Sequence, residues 1–179
     1  MKNISAAFLI SALAFNQSCT TTMKTTQIST EIPQPDAALA NNPLLMKSKL
    51  QYEAPQFDKI KDEHFKPAFD FGLKQHDAEI MQIANNPEKP TFENTLVALE
   101  KSGQNLKRAT IIFGNLTSAN TNPTLQALDE EYAPVFAAHQ DKMMLNEKLY
   151  DRIKSILENG LDAESKKLLQ FYKQNFEIA

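Results

Sequence analysis

From Asp62 onward the apolar residues recur at intervals of three, four and seven, and no long window alternates in the two-residue period of a half-buried strand. That regularity confines the body of the chain to helices packed on helices. Phe69, Leu73, Ile80 and Ile83 fall on one face of a helix running from about Asp62 to about Ala84, before Asn85-Asn86-Pro87. Pro67 lies in its first turn, where a missing N–H costs little. Thr91 reads as the N-cap of the next helix, with Phe92, Leu96 and Leu99 on its inner face. Ser102-Gly103 closes it, because glycine accepts a left-handed C-terminal turn. Leu106, Ala109, Phe113 and Leu116 line a third helix, where Gly114 predicts a close crossing with a neighbour. After the break at Asn120-Thr121-Asn122-Pro123 a long helix carries Leu125, Leu128, Tyr132, Val135, His139 and Met143, with a kink expected at Pro134. Leu149, Ile153 and Ile156 make another helix, stopped by Asn159-Gly160. Asp162 caps the last one, with Leu168, Leu169, Tyr172 and Phe176 inward. The expected fold is all-α, an antiparallel helical array joined by short connections.

Composition narrows the function classes without choosing one. The 179 residues are long enough for a domain with a real core. With 19 Lys+Arg against 22 Asp+Glu, the chain has no cationic excess to meet a phosphate backbone, so nucleic acid is not an expected partner. One Cys rules out an internal disulfide framework and any multi-cysteine zinc site. Four Gly and no Trp count against a glycine-rich nucleotide fold and against a β-sandwich.

The first residues read as an export signal. Met1-Lys2-Asn3 is a short positive start, and Ile4 to Phe15 is an apolar stretch of twelve residues. A membrane-spanning helix needs roughly 20, so this stretch is too short to cross and fits a secretory signal peptide over residues 1–18. Cys19 follows Ser18 just beyond the apolar core, where a bacterial lipoprotein signal places the cysteine that is lipidated and becomes the first residue. Asn16 stands where an aliphatic residue is usual. The competing reading is ordinary cleavage after Ala12-Leu13-Ala14, which releases a soluble protein. An ordinary N-terminal helix is a third reading, disfavoured because the Thr-rich stretch beyond would leave it unpacked. The expected location is the cell envelope: lipid-anchored and facing the periplasm in one case, soluble and periplasmic in the other. Residues 19–50 are polar and Thr-rich, with Pro33, Pro35 and Pro43, and read as a flexible tether; residues 51–179 read as the helical body.

Taken as chemistry, the residues offer little. His64, His76 and His139 are too far apart in sequence for any two to grip one ion from the same helix, and the H-E-x-x-H pattern is absent. Asp62-Glu63-His64 is ligand-like in composition, but neighbours on a helix point apart, and a solvated helix start is the better reading. His76 and His139 read as core or boundary histidines with satisfied nitrogens. Ser102 precedes a glycine without the G-x-S-x-G elbow of a hydrolase. Asp129, Glu130 and Glu131 form an acidic run that reads as a solvated face. No catalytic and no metal-binding residue is expected in this chain.

One series of segments does resemble a known family. Pro90-Thr91-Phe92-Glu93-Asn94-Thr95 and Ala98-Leu99-Glu100-Lys101-Ser102-Gly103 resemble a signature of the N-terminal region of bacterial peptidyl-dipeptidases, within the thimet oligopeptidase-like zinc metallopeptidases. Asn42-Pro43-Leu44-Leu45, Ala54-Pro55-Gln56-Phe57-Asp58 and Ile60-Lys61-Asp62 resemble the family's opening. Pro67-Ala68-Phe69 and Ala78-Glu79-Ile80 resemble its first long helix. The segment from Asn115 to Asn122 and Ala137-Ala138-His139 follow in family order. The resemblance implies a two-lobed helical peptidase around a deep channel, zinc held by two His of H-E-x-x-H and a distant Glu, and oligopeptides that lose C-terminal dipeptides. It also implies that every zinc ligand lies beyond the matched segment, so no catalytic residue carries over. Thr91, Phe92, Glu93 and Asn94 are left with a capping and packing role.

The leading expectation is therefore the N-terminal helical portion of an exported zinc peptidyl-dipeptidase, binding no zinc and inactive alone, with the missing C-terminal catalytic region as its partner. The alternative is a non-catalytic helical lipoprotein that binds peptides or a protein partner; a scaffold bundle without peptide affinity is a third.

Overall fold

The computed structural model describes residues 31–179; Cys19 and the whole expected export signal lie outside the described residues. Within them the chain is helical and contains no strand. Helix α1 spans Phe65–Ala84. A π-helical segment, Phe92–Val97, runs on into the short helix α2, Ala98–Lys101. Helices α3 (Gln104–Ala119), α4 (Pro123–Met144), α5 (Glu147–Lys154) and α6 (Ala163–Glu177) follow. None of the helices among the described residues is long and apolar enough to cross a membrane.

The ends of these helices follow from their capping chemistry. Thr91 and Asn94 form a reciprocal box: Thr91 Oγ1 accepts from the Asn94 N–H at 3.1 Å, and Asn94 Oδ1 accepts from the Thr91 N–H at 2.9 Å. Asn122, Asn146 and Asp162 each accept a first-turn N–H of the helix they open. Gly103 takes φ 65° between α2 and α3, as a left-handed turn requires. Pro134 sits inside α4 without ending it. Helix α5 stops at Lys154, short of Asn159-Gly160, and Ile156 is buried from beyond its end.

Two hydrophobic cores share α1. The first gathers Phe65, Ala68, Phe69 and Phe71 of α1, Ala109, Ile112 and Phe113 of α3, and Leu125, Leu128 and Tyr132 of α4. Its rings meet edge-on: Phe69 and Phe113 at 5.2 Å between centroids, Phe69 and Phe136 at 5.0 Å. The second gathers Ile80, Ile83 and Ala84 of α1, Leu96, Leu99, Leu149, Ile153 and Ile156, and Leu169 and Phe176 of α6. A 20-residue helix is about 30 Å long, enough to serve both.

Two expectations need correction. Residues 31–50, the described part of the expected tether, are seated on the body. Leu44 is fully buried in the first core with Leu45 beside it. Asn42 accepts the Leu44 N–H at 3.0 Å and donates to the His64 carbonyl at 2.9 Å. A pair of leucines behind a satisfied asparagine is enough to anchor a segment with no helical period. The close helix crossing is not at Gly114, around which a Cβ would meet nothing, but at Gly72. A Cβ there would fall 2.9 Å from the Leu106 Cα, so α1 and α3 touch backbone to backbone.

Candidate functional site

Between the two cores lies a seam of polar side chains, built from the middle of α1, the α2–α3 turn and the second half of α4. Its axis is a chain of contacts. His76 Nε2 is 3.1 Å from Ser102 Oγ, and His76 Nδ1 is 2.9 Å from His139 Nε2. His139 Nδ1 is 3.2 Å from Asp77 Oδ1, and Lys142 donates to Asp77 Oδ2 at 2.7 Å. Alongside, Glu79 Oε2 accepts the Gly103 N–H at 2.6 Å. A Cβ on Gly103 would fall 2.9 Å from the His76 ring, so glycine is required there twice over, by φ and by space.

Proton counting assigns the donors along this chain. Ser102 Oγ donates to the Leu99 carbonyl at 2.6 Å, which uses its single hydrogen. His76 Nε2 must therefore donate to Ser102, leaving Nδ1 to accept from His139 Nε2. The His139–Asp77 contact is a hydrogen bond only with a proton on His139 Nδ1. His76 is therefore neutral, with its proton on Nε2. Burial, and then the neighbouring His139, pull His76 down to about 4, in agreement with that assignment.

A cleft of about 410 Å³ opens beside the seam, bordered by His76, Ser102, Lys107, His139 and Tyr172. Tyr172 donates to Glu100 at 2.7 Å; burial and that carboxylate hold its hydroxyl well above the usual range. The seam faces a cleft, yet its groups are committed to one another. Both His76 nitrogens are engaged and the Ser102 hydroxyl is aimed at a carbonyl, so neither stands as a base–nucleophile pair. Among the described residues no group of three or more His, Cys, Asp or Glu could hold a metal ion, so this part of the chain does not fit a zinc site. What the arrangement does is tie α4 to α1 and fix the α2–α3 turn.

A second polar centre lies within the second core. Arg152 is buried; its Nη1 donates to the Asn86 and Glu88 carbonyls at 2.6 and 3.0 Å. Its Nη2 donates to Asn94 Oδ1 at 3.0 Å and to Thr95 Oγ1 at 3.3 Å. Four acceptors around one guanidinium draw the loop before Thr91, the capping box and α5 together, while Nε has no partner among the described residues. Asn94, expected to cap and pack, is thus also a receptor for Arg152.

The other expected positions are accounted for plainly. His64 Nδ1 accepts the Lys61 N–H at 3.0 Å, and Asp62 accepts from Asn122 Nδ2 at 2.9 Å, so the Asp62-Glu63-His64 triplet holds chain ends and does not converge on an ion. In the acidic run Asp129 and Glu130 are exposed, and Glu131 pairs with Lys66 at 2.7 Å. Tyr132 donates to Asp70 beneath this pair. The sequence did not single out Arg152 or the His76–His139 contact; both join residues far apart along the chain, and no local spacing signals them.

Known proteins are similar to this chain in sequence. The chain is 44% identical over 145 residues to the dipeptidyl carboxypeptidase of Salmonella typhimurium strain LT2, covering 79% of this chain and 21% of that protein. It is 43% identical over 142 residues to the dipeptidyl carboxypeptidase of Escherichia coli strain K12, covering 77% and 21%. A protein of Arabidopsis thaliana named "Probable cytosolic oligopeptidase A" is 27% identical over 124 residues, covering 68% and 16%. The chain thus spans about a fifth of the length of the two bacterial relatives. No protein-family model matches it.

Proposed function

The chain is homologous to the dipeptidyl carboxypeptidases of the oligopeptidase-like family over about a fifth of their length, and on that premise we propose that it is the N-terminal helical portion of a zinc peptidase that releases C-terminal dipeptides from oligopeptides. The observation that carries this reading is 44% identity sustained over 145 residues. The zinc and the group that activates its water belong to residues outside this chain. Its own contribution is a rigid helical wall, set by the two cores and the seam between them. Alone it is inactive. Exposed Leu145, Leu157, Phe171 and Ile178, on and around α5 and α6, are the surface offered to the catalytic remainder.

The test is to read the coding DNA past the codon for Ala179 and to assay the longer product and the 179-residue chain side by side. An N-blocked peptide should lose its C-terminal dipeptide to the longer product alone, and a chelator should stop it. A stop codon directly after Ala179, or chelator-resistant hydrolysis by the short chain, overturns the reading. In the first case a non-catalytic helical lipoprotein takes its place.

Export completes the proposal. Residues 1–18 direct secretion, and Cys19 carries the lipid that holds the protein at the envelope, with acyl chains contributing about 0.8 kcal/mol per buried CH₂. Mass spectrometry of the mature N-terminus should find acylated Cys19. A mature chain starting at Phe15, with a free thiol, would mean a soluble periplasmic protein.

A further inference from the structure

The segment 41–59, seated across α3, encloses a cleft of about 640 Å³, within the range of roughly 300–1,000 Å³ typical of ligand pockets. Its walls carry two kinds of group together. Lys49, Lys59 and Arg108 line it, and none of them is within 4.0 Å of a carboxylate among the described residues. Met46, Leu50 and Ile111 line it too, about half exposed at 48%, 51% and 55%. The carboxylate in the lining, Glu53, is already paired with Lys47 at 2.6 Å. The cleft is therefore cationic and apolar at once, on a chain whose net charge is −3.

The backbone at its edge is strained. Tyr52 and Glu53 take φ 58° and 57°, two successive non-glycine residues in the left-handed region. Such conformations cost on the order of 1 kcal/mol each and persist where the surroundings fix them. Here the Lys47–Glu53 ion pair and the Glu53 N–H to Leu50 carbonyl bond at 3.0 Å hold the turn. The turn leaves Tyr52 92% exposed.

We propose that this cleft binds an acidic peptide segment bearing aliphatic side chains, its carboxylates meeting Lys49, Lys59 and Arg108 and its aliphatic groups covering Met46, Leu50 and Ile111. Charge complementarity selects the occupant. A polyanion without apolar groups would leave the three hydrophobic side chains in water, and a neutral apolar peptide would leave three cations unpaired. The proposal goes beyond the peptidase reading: it concerns binding by this chain, and its failure leaves that reading untouched.

The test is fluorescence anisotropy of the 179-residue chain with a short labelled peptide alternating glutamate and leucine. A lysine–leucine peptide of equal length is the control. The acidic peptide should bind, the basic one should not, and affinity should fall about tenfold between low salt and about 0.5 M salt. Lys49→Glu, Arg108→Glu and Ile111→Asp should each weaken binding about tenfold or more, while Lys167→Glu on α6 should leave it unchanged. Circular dichroism checks that each variant folds; Lys49 lies exposed outside any helix, so its variant carries the test if Arg108→Glu does not fold. Absence of binding, equal binding of the basic peptide, or an equal loss in Lys167→Glu overturns the proposal. So does full displacement by inorganic phosphate at matched charge, which marks a bare anion site, or capture by anionic phosphatidylglycerol vesicles without peptide binding, which marks a lipid surface.

Discussion

The two cores of this protein are held by different physics. The first is an aromatic cluster in which Phe65, Phe69, Phe113, Tyr132 and Phe136 meet ring to ring, and its polar contacts sit at the edge, where Lys66, Asp70 and Glu131 gather around the Tyr132 hydroxyl. The second is mostly aliphatic and is organised around Arg152, a buried cation with four acceptors. Packing of the first kind tolerates adjustment but loses heavily when volume is removed. A hub of the second kind is worth little against an apolar replacement of equal shape, yet losing one partner leaves the others buried without bonds.

The contrast can be broken most forcefully at Phe69. Phe69→Ala should cost about 3–5 kcal/mol in urea unfolding, because the ring is fully buried and touches four other aromatic rings. Amide exchange should then rise in α3 and the first half of α4 before it rises in α5 and α6. Arg152→Met should cost about 3 kcal/mol, removing the guanidinium donor from the Asn86 and Glu88 carbonyls and from Thr95 while Asn94 keeps the Thr91 N–H, and should reverse that order of exchange. Equal exchange across both cores in both variants would mean that they unfold as one unit and that the distinction has no thermodynamic content.

Gly72→Ala sharpens the comparison at the point where the helices meet. The added methyl faces the Leu106 Cα, so α1 and α3 must separate; about 2 kcal/mol should be lost, chiefly from the first core, as read by thermal melting. The smallest effect is that of pH on the seam. His76 is held near 4 in the folded protein, below its ordinary 6.5, so between these values the unfolded chain binds more protons. The His76 contribution to stability is complete above about 6.5 and is lost as pH drops towards 4. The loss should be about 1–2 kcal/mol, less than the full linkage value because the ring is partly solvated. His76→Gln should flatten that dependence; an unchanged slope would assign it to other groups.

The sequence showed whatever is written locally. Thr91 and Gly103 were legible as a cap and a left-handed turn because each is determined by its neighbours within a few residues. The helical faces were legible because periodicity is a local signal. Val135 shows its limit, with 41% exposure despite its place in the pattern. Gly114 and Gly72 look alike in sequence; only the approach of a second helix tells them apart. Leu44 and Leu45 were hidden because two adjacent leucines have no period. Arg152 reads as a surface cation on a charged helix until the acceptors at 86, 88, 94 and 95 are brought around it. His76 and His139 are 63 positions apart, and their contact exists only through the fold.

At Gly72 two main chains meet with no side chain between them. Side chains elsewhere can change rotamer and absorb a displacement; bare backbone cannot. The contact therefore acts as a fulcrum on a rod about 30 Å long, with the aromatic core on one arm and the arginine hub on the other. A substitution that swells either core tips the far end of α1 in the opposite sense, so each core is a constraint on how the other can evolve.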